Sequence, residues 1–180
     1  MTDIILLQFS SRENGNCAAI SSQIQDYYGN ITEYTVDVSV TEPCGGCNYE
    51  CLTPGKICPN LSAKQIELMD AICNAKLAYF VVPNYCGFPC ASYFAFNEKS
   101  VGYFNMDEDL LQSYLRVPKR FIIVSNTEDE FFVQAMQQQT DAEPEILYMK
   151  AGKYGRKSID GNMMESPEAQ ADLEMFLKKR

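Results

Sequence analysis

Two groups of residues in this chain have types and spacings that could do chemistry. The first is Cys44, Cys47, Cys51 and Cys58, in the order C-x2-C-x3-C-x6-C. Four thiolates at such intervals can converge on one metal centre. All-sulfur ligation suits an iron–sulfur cluster or tetrahedral zinc, and unligated thiols are the third reading. C-x2-C serves both metals, so the spacing does not choose between them. Gly45-Gly46 and Pro54-Gly55 supply the turns such a loop needs.

The second group is the polar stretch Ser10-Ser11-Arg12-Glu13-Asn14-Gly15-Asn16-Cys17, which follows a buried apolar run and precedes a helical pattern. A strand-to-helix turn gathers free backbone N–H groups and the positive end of a helix dipole, so it favours a phosphate. Ser10 and Asn16 can donate further hydrogen bonds, Arg12 can add a charge-assisted one, and Gly15 eases a tight turn. Asn14-Gly15 is also a good two-residue hairpin turn. A hairpin needs a strand after it, and the pattern from Ile20 is helical.

Composition narrows the chemistry. The 180 residues include eight cysteines and no histidine or tryptophan. Without histidine there is no Ser-His-Asp or Cys-His nucleophile, no His-ligated zinc enzyme and no Rieske centre. The net charge of −9 argues against nucleic acid and against an anionic membrane surface as partners. The run Ile4 to Phe9 lacks a basic start and is too short for a signal or spanning segment, so a cytoplasmic protein is expected. In that compartment the cysteines read as thiols or metal ligands rather than structural disulfides.

These groups must be carried by a scaffold. Ile4 to Phe9 reads as a buried strand. Ile20, Ile24, Tyr27 and Tyr28 mark a helix face, ended by Gly29-Asn30. Ile31 to Val40 reads as a second strand at an edge. Ser62 with Gln65 makes a capping box before Ile66, Met69 and Cys73. Leu77 to Val82, Phe121 to Val124 and Ile146 to Met149 read as three more strands. Thr127 with Glu130 caps a helix bearing Phe132, Ala135 and Met136. Ser166-Pro167 opens a last helix, with Ala169, Leu173, Phe176 and Leu177 buried. Strand–helix alternation implies one α/β domain over residues 1–180, a five-stranded parallel sheet covered on both faces. The economical topology is doubly wound, in the flavodoxin-like order 2-1-3-4-5, with a cysteine-rich loop at 42–60 after strand 2. Its ligand belongs at the carboxyl ends of strands 1 and 3.

The motif S-x-R-x-N-G-N at Ser10 to Asn16 resembles the phosphate loop of the NADPH-dependent FMN reductase group of the flavodoxin superfamily. Members commonly carry Ser or Thr where this chain has Cys17. Val82-Pro83-Asn84-Tyr85-Cys86-Gly87 resembles that group's proline-x-tyrosine-x-glycine loop, which wraps the flavin ring. After the fourth strand the group has a glycine-containing loop, whereas this chain has Ser125-Asn126-Thr127-Glu128. The four cysteines resemble the motif that the iron–sulfur flavoproteins insert after strand 2, with three residues rather than two between the second and third.

The resemblance implies FMN held by Ser10, Arg12, Asn14, Asn16 and Cys17. Pro83, Asn84, Tyr85, Cys86 and Gly87 would frame the ring, with Ser125 and Asn126 beside it. It implies a [4Fe–4S] cluster on Cys44, Cys47, Cys51 and Cys58, NAD(P)H or a redox protein as partner, and a homodimer or tetramer. No side-chain acid or base is assigned to catalysis. Two other readings stay open: a non-enzymatic electron carrier, and a flavin-free scaffold with a structural zinc loop. Cys86 and Cys90 form a C-x3-C that could be a redox pair, although two small buried residues is the simpler reading. Of the aromatics Tyr79, Phe80, Tyr93, Phe94, Phe96, Tyr103 and Phe104, most are expected in the core and some at a subunit interface.

Overall fold

Alternation along the apolar strands decides the layering. In the computed structural model, which describes residues 4–126 and 132–179, Ile5, Leu7, Phe9, Phe80, Val82, Phe121 and Ile123 share one buried cluster. Leu6, Tyr79, Val81, Ile122 and Val124 share the other. Successive side chains of a strand point to opposite faces, so both faces of this sheet are covered and the strands need continuous apolar runs.

The strands are β1 (Ile4–Gln8), β2 (Thr32–Thr35), β3 (Leu77–Tyr85), β4 (Phe88–Pro89), β5 (Lys119–Ser125) and β6 (Glu145–Lys150). The helices are α1 (Asn16–Tyr28), α2 (Ala63–Cys73), α3 (Ala91–Phe104), α4 (Glu108–Leu115), α5 (Phe132–Gln137) and α6 (Pro167–Leu177). The parallel order is β2-β1-β3-β5-β6, and β4 pairs antiparallel with β3. The five parallel strands keep the order expected. The correction is a sixth, two-residue strand that folds back on β3 and shifts the numbering, so the sheet is not 2-1-3-4-5 in chain order. Residues from α1 and α6 join one cluster, and residues from α2 to α5 join the other.

Several boundaries differ from expectation for visible reasons. The second strand stops at Thr35 rather than Val40. The Asp37 carboxylate accepts the Ser39 N–H at 2.8 Å, and its carbonyl accepts from Val40 and Thr41, a turn that competes with the ladder. Helix α2 has its capping bond, Gln65 N–H to Ser62 Oγ at 3.1 Å. Its buried face is Gln65, Leu68, Met69 and Ile72, with Ile66 exposed. Helix α6 buries the four residues expected. The pairing of Thr127 with Glu130 lies outside the described residues. Tyr79, Phe80, Tyr93 and Phe96 are fully buried, and the Phe9 ring meets those of Phe80, Tyr93 and Phe96 at 5.3–5.8 Å. Tyr103 and Phe104 pack on that core, while Phe94 is exposed. Among the described residues no helix is long and apolar enough to cross a membrane.

The amino end of β5 buries two basic side chains. Arg120 donates from Nη1 to Tyr79 Oη at 3.1 Å and from Nη2 to Lys179 O at 2.7 Å, with Glu145 3.2 Å from Nε. Lys119 Nζ donates to Tyr114 O at 2.6 Å and Val117 O at 3.1 Å, and lies 4.0 Å from the Tyr114 ring centre. These contacts favour the ammonium, but burial outweighs them and pushes the Lys119 pKa down to about 7. An unfolded lysine stays protonated to its ordinary value near 10.5. Between the two values the unfolded state holds the extra proton, so this group makes stability rise with pH there, by at most about 1.4 kcal/mol per unit. Urea unfolding of wild type and Lys119→Met from pH 6 to 10 should show the wild type gaining on the variant above pH 7. Parallel pH profiles would contradict a lysine held neutral by burial.

Candidate functional site

Strand β1 ends at Gln8, opposite Val81, whereas β3 runs on to Tyr85 and β5 to Ser125. The last ladder bonds at this corner are Phe9 N–H to Val81 O at 2.9 Å and Val36 N–H to Gln8 O at 2.7 Å. The chain then leaves the sheet through residues 10–15 and enters α1. In this loop the Ser10 hydroxyl accepts the Arg12 N–H at 3.3 Å. Gly15, at the N-cap, has ordinary extended backbone (φ −102°, ψ 171°). Its requirement is room: a Cβ there would stand 3.2 Å from Arg12 O. No side chain caps this helix end and no acidic residue occupies its first turn. The positive end of α1 therefore faces the corner uncompensated.

The second loop is a hairpin. Cys86 (φ 55°) and Gly87 (φ 89°) form a two-residue turn between β3 and β4, with both dihedrals positive as the favoured hairpin turns require. Asn84 braces it, accepting the Gly87 N–H at 2.9 Å and donating to Ser125 Oγ at 2.8 Å. Tyr85 and Cys86 are exposed on its tip.

Pro83 sits inside β3, where a proline is unusual. Val81 O faces β1, so by alternation the nitrogen of residue 83 faces β1 as well. With Phe9 N–H on Val81 O, an N–H at residue 83 would be the next donor of the parallel ladder, toward Phe9 O; the proline removes it and the pairing of β1 with β3 ends there. The Phe9 carbonyl on that side is covered by Cys90 Sγ at 3.2 Å and by Ser92 Oγ at 3.4 Å. Burial pushes the thiol of Cys90 up, and that of Cys17 to about 12, with Cys90 adding to the latter shift. Cys90 is thus a buried donor rather than a thiolate, as the simpler reading of the C-x3-C expected of it, whereas Cys86 is exposed and is not the second buried residue of that reading.

The third side comes from the end of β5, and a fourth from a segment that sequence reasoning missed. After β6 the chain makes short 3-10 turns at Ala151–Tyr154, Ser158–Asp160 and Met163–Glu165. This strap lies against the first loop. Arg12 Nη2 donates to Ile159 O at 2.5 Å and Asn16 Nδ2 to Ser158 O at 3.1 Å. Asn16 Oδ1 accepts the Met163 N–H at 2.9 Å, and Asn126 Nδ2 donates to Ser158 Oγ. Only Gly155 and Gly161, on either side of the contact, hinted at it in the sequence.

Together the four segments enclose a cavity of about 260 Å³. Of the residues expected to bind, Ser10, Arg12, Asn16, Cys17, Pro83, Asn84, Tyr85, Ser125 and Asn126 line it, while Asn14, Cys86 and Gly87 do not. In a chain of net charge −9, the described lining holds one arginine and no carboxylate. A larger hollow of about 480 Å³ lies by α3 and α4, lined by Leu52, Val101, Phe104 and Leu111 with Cys51 at its rim. It is away from the carboxyl ends of the strands, so the smaller cavity is the stronger site.

The four-cysteine loop sits on α3. Cys44 N–H donates to Glu98 at 3.1 Å, and Lys99 Nζ donates to Asn60 O at 3.0 Å. Cys58 packs so closely on Gly102 that a Cβ there would stand 2.9 Å from its sulfur. Partial burial, followed by the nearby Cys58, Cys47 and Cys44, pushes the Cys51 thiol up. The loop thus brings the four thiols into one neighbourhood. Even so, among the described residues no group of three or more His, Cys, Asp or Glu side chains could hold a metal ion. The four cysteine side chains do not form the ligand shell that the resemblance implies.

The parallel order, with its crevice between β1 and β3, defines a doubly wound α/β fold. No protein-family model matches the sequence, and no curated protein is significantly similar to it. Solved structures are similar in fold. The Trp repressor binding protein from Bacillus subtilis superposes with a TM-score of 0.65 at 11% identity, over 98% of each chain. An NADH:FMN oxidoreductase in its apo form gives 0.54 at 11%, over 98% of this chain and 88% of that one. An azoreductase from Bacillus anthracis gives 0.51 at 12%, over 99% and 98%. At these identities the likeness establishes the fold, which is flavodoxin-like.

The assignment of Cys90 as a donor is open to direct test. Cys90→Ala should lower stability in urea by about 1 kcal/mol, and Cys90→Ser, which keeps a donor toward Phe9 O, by clearly less. Equal losses would mean that the sulfur matters by packing alone.

Proposed function

We propose that this protein is an FMN-dependent oxidoreductase that takes reducing equivalents from NAD(P)H. The observation that carries the reading is the cavity at the β1/β3 crevice. Among the described lining residues it joins an uncapped helix end to a single arginine with no carboxylate, in an otherwise acidic chain. Such a place suits a phosphate monoester. At about 260 Å³ the cavity is smaller than pockets that enclose a whole drug-sized ligand. It therefore suits the phosphate end, and leaves a ring system to lie on the exposed hairpin tip. The fold likeness to an NADH:FMN oxidoreductase and an azoreductase agrees with this choice.

FMN supplies hydride and one-electron chemistry when bound. The chain's contribution is binding and orientation. Backbone N–H groups of the first turn of α1 and the Ser10 hydroxyl would hold the phosphate, beside the Arg12 charge. Pro83 to Gly87 would support the ring, with Tyr85 offering an aromatic face. Asn84 and Ser125 fix the hairpin. The absence of histidine fits a reaction that asks no side chain to transfer a proton. Phe88 and Phe94 line a further surface hollow of about 500 Å³ beside the hairpin, which supports assembly as a homodimer or tetramer with the sites near its interfaces.

The reading predicts that FMN binds at least about a hundredfold more tightly than riboflavin, because one or two charge-assisted bonds go to the phosphate. Flavin-fluorescence quenching measures both. Equal affinities would remove the phosphate-loop assignment, and failure to bind either flavin would leave a flavin-free scaffold. With FMN bound, steady turnover of NAD(P)H with a quinone or azo dye marks an oxidoreductase. Tight FMN without turnover marks an electron carrier.

The cysteine loop supports a second, narrower proposal, a [4Fe–4S] cluster on Cys44, Cys47, Cys51 and Cys58. What favours it is that Cys51 stands within electrostatic reach of the other three, although their present arrangement forms no metal-holding group. No step of the proposed reaction runs through it. Anaerobically purified protein should contain iron and sulfide in equal amounts. Zinc without sulfide, or no metal, would reject the cluster.

A further inference from the structure

We infer that the strap from Arg156 to Met163 sets the shape of the phosphate loop, and that Asn16 and Gly161 are positioning residues rather than ligands. The inference rests on the flavin reading of the same cavity and changes who does what in it. Asn16 was expected to donate to the phosphate. Its side chain instead spans from loop to strap, Nδ2 donating to Ser158 O and Oδ1 accepting from Met163 N–H. It is 5% exposed, so both ends of the amide serve the strap inside the protein. Arg12 is tied to the same segment through Ile159 O. Its remaining N–H groups stay available to an anion, since a guanidinium carries five.

Gly161 closes the contact from the other side. It has φ +72°, and a Cβ there would fall far inside contact distance of Asn14 O and 3.5 Å from Gly15 Cα. Backbone of the strap is therefore pressed on backbone of the loop at the two residues that lead into α1. The N–H groups that would meet a phosphate begin at that point, so their direction follows from this packing. Ser158 adds an edge to the same wall, its Oγ accepting from Asn126. The wall thereby links the loops after β1 and β5 without passing through the sheet.

Gly155 provides an internal control. It also has a positive φ, +66°, but a Cβ there meets nothing within 4 Å. Gly155→Ala and Gly161→Ala share the backbone strain, and only the second pushes on the loop. Gly161→Ala should weaken FMN binding by about tenfold or more and speed hydrogen exchange of the amides at Gly15, Asn16 and Cys17. Gly155→Ala should lower thermal stability and change neither. Should Gly161→Ala fail to fold, Asn16→Ala serves instead, with faster exchange of the strap amides from Ile159 to Met163 as its readout. Unchanged exchange in loop and strap, or an equal loss of FMN affinity in both glycine variants, would overturn the inference. Exchange is read on flavin-free protein, and titration of the wild type with FMN tests the flavin reading alone, so either can fail without the other.

Discussion

The offset between β1 and β3 is the constraint on which the site depends. β1 stops at Gln8 while β3 continues for four residues beyond its partner Val81. Backbone groups at such a step must find partners off the ladder, since a buried one left alone costs about 1–3 kcal/mol. The Phe9 carbonyl takes Cys90 and Ser92 from the start of α3. The proline at 83 removes the one N–H that would have pointed into the step. What remains is an open corner toward which the first turn of α1 directs its own unpaired N–H groups. The crevice is thus a consequence of strand lengths, and the ligand class follows from which backbone groups are left facing it.

Charge acts on a shorter scale than the net value suggests. A chain of −9 would repel an anion if its charges acted uniformly, but exposed charges beyond about 8–10 Å are largely screened at physiological salt. The described lining of the cavity itself presents Arg12 and an uncapped helix end and no carboxylate, although Glu13 and Asp160 adjoin it in the chain. The wider acidic surface serves solubility. Arg12 is exposed, and the Ile159 carbonyl on the strap accepts from one of its N–H groups.

Elements with a strong period were legible in the sequence. The four residues assigned to the buried face of α6 are those buried in the structure, and Ile20 and Ile24 of α1 lie on its core side. Elements whose signals conflict were not. Helix α3 is preceded by Cys90, which makes no side-chain cap, and it buries Lys99, whose Nζ donates to Asn60 O, so neither cap nor period announces it. Strand β4 is two residues long and contains a proline. Asp37 ends β2 early by a local turn within a β-branched run. The strap escaped for another reason. Apart from the Ser158 hydroxyl that accepts from Asn126, its hydrogen bonds use the carbonyls of Ser158 and Ile159 and the amide of Met163, groups that every residue carries, so little side-chain pattern encodes them.

The cysteine loop was the clearest motif in the sequence, yet its structure is governed by α3. Glu98, Lys99 and Gly102 lie on one helix and hold the loop near Cys44, Asn60 and Cys58. This fixes the two ends and leaves Cys47 and Cys51 on the intervening turn. Gathering four thiolates costs energy; burial first, and the neighbouring cysteines after it, push the Cys51 thiol up. Only a cation reverses the sign, by stabilising the deprotonated sulfurs and releasing their protons. With both ends already anchored, closing the turn around a cation orders a short stretch rather than the whole loop. Anchoring the two ends of the loop on α3 spends conformational entropy during folding that any ligand ordering it would otherwise have to spend.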